Sequence, residues 1–146
     1  MKIVLRNKRP IYLTLFIVYI LIFLRLTIFR PFVFYERQFN LELFVDLINI
    51  YRTSGAFTFI WLFFGNIFWF VPLGFLMPML LKRSSFIKVT AIGFSFSLFI
   101  EITQFISYRG VAELDDLILN TLGAAIGYWV FKYLSKFQFF HKFIIK

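Results

Sequence analysis

Four long apolar runs, separated by short polar or charged breaks, set the frame of this 146-residue chain. The first is Ile11 to Phe29, the second Phe57 to Leu81, the third Phe86 to Ser107 and the fourth about Leu117 to Leu134. A bilayer core about 30 Å thick is crossed by about 20 apolar residues of helix. Each run therefore predicts one transmembrane helix. The expected fold class is all-α, a polytopic bundle of four transmembrane helices forming a single domain over residues 1–146.

Between the first two runs, Asn40 to Arg52 changes pattern. Glu42, Asp46 and Asn49 recur at helical spacing, with Leu43, Phe44, Leu47, Ile48 and Tyr51 on the opposite face. This reads as an outer amphipathic helix lying at the membrane interface. Asn40 is the expected N-cap, Glu42 and Asp46 sit near the positive end of the dipole, and Ser54-Gly55 supplies the stop.

Lys2, Arg6, Lys8 and Arg9 precede the first run, as they would in a secretory leader or a membrane anchor. Its exit, with Arg25, Arg30, Pro31 and Phe32, offers no small-residue cleavage site. An uncleaved helix is expected, with Arg25 snorkelling to the far interface.

Composition agrees with the pattern: 61% of residues are hydrophobic and 23% aromatic, and the mean hydropathy is +0.84. These values lie well beyond a water-soluble domain. The net charge of +9 raises nucleic acid as a partner, but the basic residues form short blocks beside apolar runs and not an exposed stripe. The positive-inside rule explains them better. The N-terminus, the turn with Lys82, Arg83 and Lys88, and the tail with Lys132, Lys136, Lys142 and Lys146 fall on one side, so both termini are expected in the cytoplasm. Glu36, Glu42, Asp46, Glu113, Asp115 and Asp116 fall on the other. Cysteine is absent, which excludes disulfides and thiolate metal sites. The single histidine, His141, lies in the basic tail. The 24 Phe residues are compatible with an AT-rich bacterial genome, and the expected location is a bacterial cytoplasmic membrane.

Polar side chains at bilayer depth are costly and need partners. Three groups stand out. In the second run, Asn66 precedes Pro72 and Gly74; Pro72 has no amide hydrogen for the carbonyl of Phe68, which predicts a kink. In the third, Glu101 and Gln104 share a helix face at spacing i, i+3. The stretch from Arg109 through Glu113, Asp115 and Asp116 then leads to Asn120, Gly123 and Gly127, where the small-xxx-small pair invites close helix approach. At 1.5 Å per residue, Asn66, Glu101 and Asn120 lie within roughly 5 to 15 Å of the outer ends of their helices. A bundle that turns them inward forms an outward-facing pocket. Asn66, Glu101, Gln104, Arg109, Asp115, Asp116 and Asn120 are its candidate ligand-binding residues, with Pro72, Gly74, Gly123 and Gly127 as structural ones.

Two uses compete for such a pocket. A purely structural network would pair Arg109 with Glu101 or an aspartate and fix helix register. Against that, Glu101, Glu113, Asp115 and Asp116 outnumber Arg109, so a shared proton or a bound divalent cation is implied if all ionise.

These residues resemble the VanZ-like family of small integral membrane proteins, named for a teicoplanin-resistance accessory protein. Asn66, Phe70, Pro72 and Gly74 match the first part of its motif, and Glu101, Gln104, Arg109, Asp115, Asp116, Asn120, Thr121, Gly123 and Gly127 match the rest. The resemblance is strongest over residues 40–130, and the ordered combination is more specific than any fragment. One departure is Asn40-Leu-Glu-Leu-Phe44, where members often carry a proline, so no lid role carries over to that segment. The resemblance implies lowered susceptibility to teicoplanin and related lipoglycopeptide antibiotics, agents that act outside the membrane.

The leading expectation is a cell-envelope protein whose outer pocket takes an amphiphilic glycopeptide or a lipid-linked envelope molecule, with membrane lipid as surroundings. The alternative is a cation-assisted enzyme acting on a lipid-linked substrate at the outer leaflet. Glu101 and Asp116 would be its catalytic candidates, and Arg109 would clamp a phosphate. Whether the protein is an enzyme stays open at this stage: the chain has no Ser/His/Asp arrangement, zinc pattern or phosphate loop. A third expectation is a structural subunit that uses Gly123, Gly127 and its aromatic surface as contacts. Neither the divalent cation nor an oligomeric state is specified by the sequence.

Overall fold

The computed structural model describes residues 9–28 and 33–140. Lys2, Arg6, Lys8, Phe29, Arg30, Pro31, Phe32, His141, Lys142 and Lys146 fall outside that range. The order is α1 (Arg9–Thr27), β1 (Gln38–Asn40), α2 (Val45–Leu80), α3 (Phe86–Ser107), β2 (Val111–Glu113), α4 (Leu114–Leu134) and α5 (Gln138–Phe140). The protein is mostly helical, and α1 to α4 are each long and apolar enough to cross a membrane.

Helix ends follow local chemistry. Ser85 opens α3 by accepting the N–H of Lys88 on its hydroxyl at 3.3 Å. Tyr108 closes it in the left-handed region, its N–H returning to the carbonyl of Gln104. Helix α4 begins three residues before the apolar run because Asp115 and Asp116 belong to its first turn, where carboxylates meet the positive end of the dipole.

The stretch expected as a separate helix over Asn40–Arg52 is built differently. Asn40 lies in β1 and not at an N-cap. Its side-chain Nδ2 donates to Asp46 Oδ2 at 2.5 Å and its side-chain Oδ1 accepts the backbone N–H of Glu42 at 2.8 Å, which makes a turn. Helix starts only at Val45, after Phe44 in the left-handed region, and one non-helical residue, Gly55 (φ 84°, ψ 171°), separates residues 45–54 from residues 56–80. Leu47 packs with Ile67 and Leu119 in one buried cluster. A straight helix would hold Leu47 and Ile67 about 30 Å apart, so the break at Gly55 turns residues 45–54 back along the span. The Tyr51–Phe59 ring contact across the break, at 5.9 Å, agrees. Pro72, by contrast, sits within helical dihedrals, and Gly55 is the one departure inside α2.

Helices α2 and α4 form the tightest pair. A Cβ on Gly123 would collide with the carbonyl of Ile67, one on Gly127 with that of Val71, and one on Gly74 with that of Ala124. These glycines are spent inside the bundle and are not available as contacts to an external subunit. Helix α1 is held chiefly by α2. Its one buried side chain, Phe23, meets Phe70 edge-on at 5.4 Å and also touches Trp69 and Phe96. Exposed apolar side chains such as Leu21, Trp61 and Ile87 cover the outer surface, as lipid-facing positions require.

The two ends of the bundle differ in charge. Arg9 donates to the carbonyl of Leu80 at 3.3 Å, so the start of α1 lies beside the end of α2 and the Lys82, Arg83 and Lys88 turn. At the opposite end, β1 and β2 pair in parallel, Gln38 with Val111, Phe39 with Ala112 and Asn40 with Glu113. Phe34 extends the clasp by donating its N–H to the carbonyl of Tyr108 at 2.7 Å. The sequence reading contained no such strands.

Candidate functional site

Beneath that clasp, four helices close around a cavity of ≈ 140 Å³. Asn66 and Trp69 come from α2, Glu101 and Gln104 from α3, Asp116 and Asn120 from α4, and Phe23 and Thr27 from α1. The helical repeat delivers these pairs, since residues three or four apart share a face. The glycine contacts of α2 and α4 then bring Asn66 within hydrogen-bond reach of Asp116: its amide N–H donates to Asp116 Oδ1.

Every polar lining group is tied to a second element. Glu101, 6% exposed, accepts the backbone N–H of Glu113 at 3.0 Å and so fixes the end of β2 over the cavity. Gln104 donates its amide N–H to the carbonyl of Thr27 at 3.3 Å, which joins α3 to α1. Asn120 donates to the hydroxyl of Ser97 at 3.0 Å, a wholly buried link between α4 and α3. Gly110 packs against the side chain of Gln104, leaving no room for a Cβ. Such links hold side-chain positions where water cannot compete.

Of the seven expected binding residues, five line this cavity: Asn66, Glu101, Gln104, Asp116 and Asn120. Asp115 and Arg109 are not among its lining residues. Asp115, 2% exposed, faces away and accepts the N–H of Phe44 on both carboxylate oxygens, at 2.9 and 3.0 Å. Arg109 lies past the left-handed Tyr108 and donates its backbone N–H to the carbonyl of Gln104 at 3.3 Å. The structure adds Ser97, Thr27 and Trp69. Ser97 was open to detection, being one turn before Glu101 on the same face. Thr27 contributes through its main chain and Trp69 through an aromatic ring, so neither carries a distinctive signal.

Two carboxylates, Glu101 and Asp116, belong to the cavity. Among the described residues no group of three or more His, Cys, Asp or Glu side chains converges as a metal cage. The lining amides and carboxylates can bind hydrogen-bond donors, hold a proton, or steady a cationic group.

Helices of spanning length around a buried polar cavity, with a strand clasp at one end, define a small polytopic membrane protein with an internal site. The chain belongs to the VanZ/LLP1 family, whose profile matches residues 15–137. It is 29% identical over 126 residues to Protein VanZ of Enterococcus faecium, a match covering 86% of this chain and 72% of that one. No solved structure matches it.

Proposed function

We propose that this is a bacterial cell-envelope protein, set in the cytoplasmic membrane with both termini inside, that lowers susceptibility to teicoplanin-type lipoglycopeptides through its polar cavity. The observation that carries this reading is the convergence of Asn66, Glu101, Gln104, Asp116 and Asn120, from three helices, on one enclosed space. Similarity to Protein VanZ supports the link to these drugs. The separation of basic and acidic ends supports the orientation.

The cavity's size narrows the mechanism. Pockets that engulf drug-sized ligands occupy roughly 300 to 1,000 Å³, and ≈ 140 Å³ is well short of that. A glycopeptide would not be enclosed. The reading is that the cavity takes a small polar part of an amphiphile at the outer leaflet and thereby changes how the drug meets its surroundings.

The test is expression of Glu101→Gln, Asp116→Asn and Asn120→Ala in a susceptible bacterium, with membrane abundance matched to the parent chain. Each variant is expected to lose most of the protection against teicoplanin. Full protection from all three would overturn the cavity's role.

One observation favours a second reading: Glu101 and Asp116, two groups suited to acid–base chemistry, line the same cavity. An enzyme acting on a lipid-linked substrate would change the envelope-lipid profile of expressing cells, and Glu101→Gln would reverse the change. An unaltered profile would remove this alternative.

A further inference from the structure

At the clasp end, outside the cavity, Arg37 is held in an unusual setting. It immediately precedes β1 and stands over two aromatic rings of the α3 terminus. Its guanidinium carbon is 5.4 Å from the ring centroid of Phe105 and 5.4 Å from that of Tyr108, the residue that closes the helix. The main chain on either side is pinned, since Phe34 donates its N–H to the carbonyl of Tyr108 and Gln38 pairs with Val111. Aromatic faces attract the charge but offer no oxygen to its N–H donors. All seven acidic residues of the chain are among the described residues, and none of them forms an ion pair with Arg37. Arg37 is exposed. A fixed cation thus presents its planar fork of donors to whatever anion lies outside the protein.

Phe105 connects that cation to an apolar surface. Its ring meets Phe39 of β1 edge-on at 6.2 Å, and both rings line a groove of ≈ 400 Å³ together with Leu98 and Ile102 of α3 and Leu117 of α4, among others. Leu98 and Phe105 are seven residues apart, about 10 Å of helix, so the groove runs from the clasp toward the middle of the span. Leu98 and Ile102 are exposed, and on a membrane-spanning helix such positions face hydrocarbon. Glu101 borders both this groove and the cavity, so the groove lies along the cavity's wall as a second, separate space.

Charge and shape together select an occupant. The groove suits a hydrocarbon chain, and a cation at its clasp end suits an anion carried at the head of that chain. A phosphate offers paired oxygens that match the guanidinium fork. In a zwitterionic lipid the phosphate already has a cation beside it, whereas in an anionic phospholipid it has none. We propose that Arg37 and the Phe39–Phe105 groove form a binding site for an anionic phospholipid of the leaflet at the clasp end, with the phosphate on Arg37 and an acyl chain along α3. The site is distinct from the cavity, and drug protection is not its readout.

Native mass spectrometry of the full chain, titrated in detergent with phosphatidylglycerol or with chain-matched phosphatidylcholine, tests the site. The parent is expected to retain phosphatidylglycerol about five- to tenfold more tightly, the scale of one basic side chain at a membrane surface. Arg37→Gln removes that preference at an unchanged Tm. Arg37→Lys, which keeps the charge and loses the fork, retains part of it and guards against a folding defect in the first variant. Leu98→Trp, which fills the groove, weakens retention of both lipids. Lys82→Gln combined with Arg83→Gln, at the other end of the bundle, leaves the preference in place. A preference that survives Arg37→Gln, or that vanishes with the Lys82 and Arg83 pair, overturns the assignment. Undiminished retention by Leu98→Trp overturns the groove's part in it. Displacement of phosphatidylglycerol by inorganic phosphate, which has no chain, assigns Arg37 to a free anion and overturns the lipid.

Discussion

Phe44 gives its single backbone N–H to both carboxylate oxygens of Asp115, 71 residues further along the chain, at 2.9 and 3.0 Å. Phe44 is in the left-handed region (φ 59°) and immediately precedes α2, while Asp115 sits in the first turn of α4. One buried side chain thus holds the start of one helix to the start of another. Its partner is main chain, so the contact tolerates no change of length.

Asp115→Ala is therefore expected to act on stability before it acts on the cavity. A hydrogen bond from an N–H to a carboxylate contributes about 1.5 to 3 kcal/mol, and this one is partly buried. Thermal unfolding of the purified protein in detergent should show a lowered Tm, while Asp115→Asn, which keeps one acceptor, should recover part of the loss. A Tm for Asp115→Ala equal to the parent's would mean that the contact contributes nothing.

Two glycines in α2 separate conformational cost from crowding. A Cβ at either Gly55 or Gly65 would meet no atom within 4 Å, but Gly55 has φ +84° and Gly65 is helical. Gly55→Ala should destabilise by about 1 to 3 kcal/mol through backbone strain alone, since its extended conformation at positive φ is essentially restricted to glycine. Gly65→Ala should be neutral or stabilising by up to about 1 kcal/mol. Equal unfolding temperatures for the two variants would contradict the reversal at Gly55.

Gly123→Val tests the opposite limit. There the obstruction is the main-chain carbonyl of Ile67, which cannot rotate aside. Overpacking of this kind costs about 1 to 3 kcal/mol or more. The expected readout is loss of the folded protein from membranes, and normal abundance with an unchanged Tm would refute the backbone contact.

The absence of cysteine makes orientation directly measurable. Tyr35, fully exposed beside β1, and Lys136, exposed after α4, lie at opposite ends of the bundle. In intact cells, Tyr35→Cys should react with a membrane-impermeant maleimide and Lys136→Cys should react only after permeabilisation. The reverse pattern would invert the proposed topology.

The spans were legible because helix periodicity and apolar length are local properties; Phe86 to Ser107 is the same in sequence and structure. Five cavity residues were legible for a related reason. Polar groups in apolar runs stand out, and their spacing fixes which helix face they share. Asp115 carries the same chemistry as its neighbour Asp116, yet one residue of helix is a turn of about 100°, enough to send it to Phe44 and away from the cavity. That outcome depends on a contact across 71 residues, which no local pattern encodes. The β1–β2 clasp was hidden for a similar reason. Strands of three residues are too short to show alternation, and their parallel pairing joins segments with two spans between them. Asn40 was read as a cap because its type suits one, but its side chain serves Asp46 and Glu42 instead.

The glycines between α2 and α4 also bear on how variants of this protein would be interpreted. Gly123 touches the carbonyl of Ile67, the residue after Asn66, and lies three residues beyond Asn120. Main chain rests on main chain there, so the gap across the cavity is gauged by a contact that has no adjustable rotamer. A survey scored only by drug response would place Gly123 beside Asn120 as though both touched a ligand. Gly123 sets how closely the two helices approach and Asn120 presents its side chain to the cavity, and a melting curve tells the two kinds of variant apart.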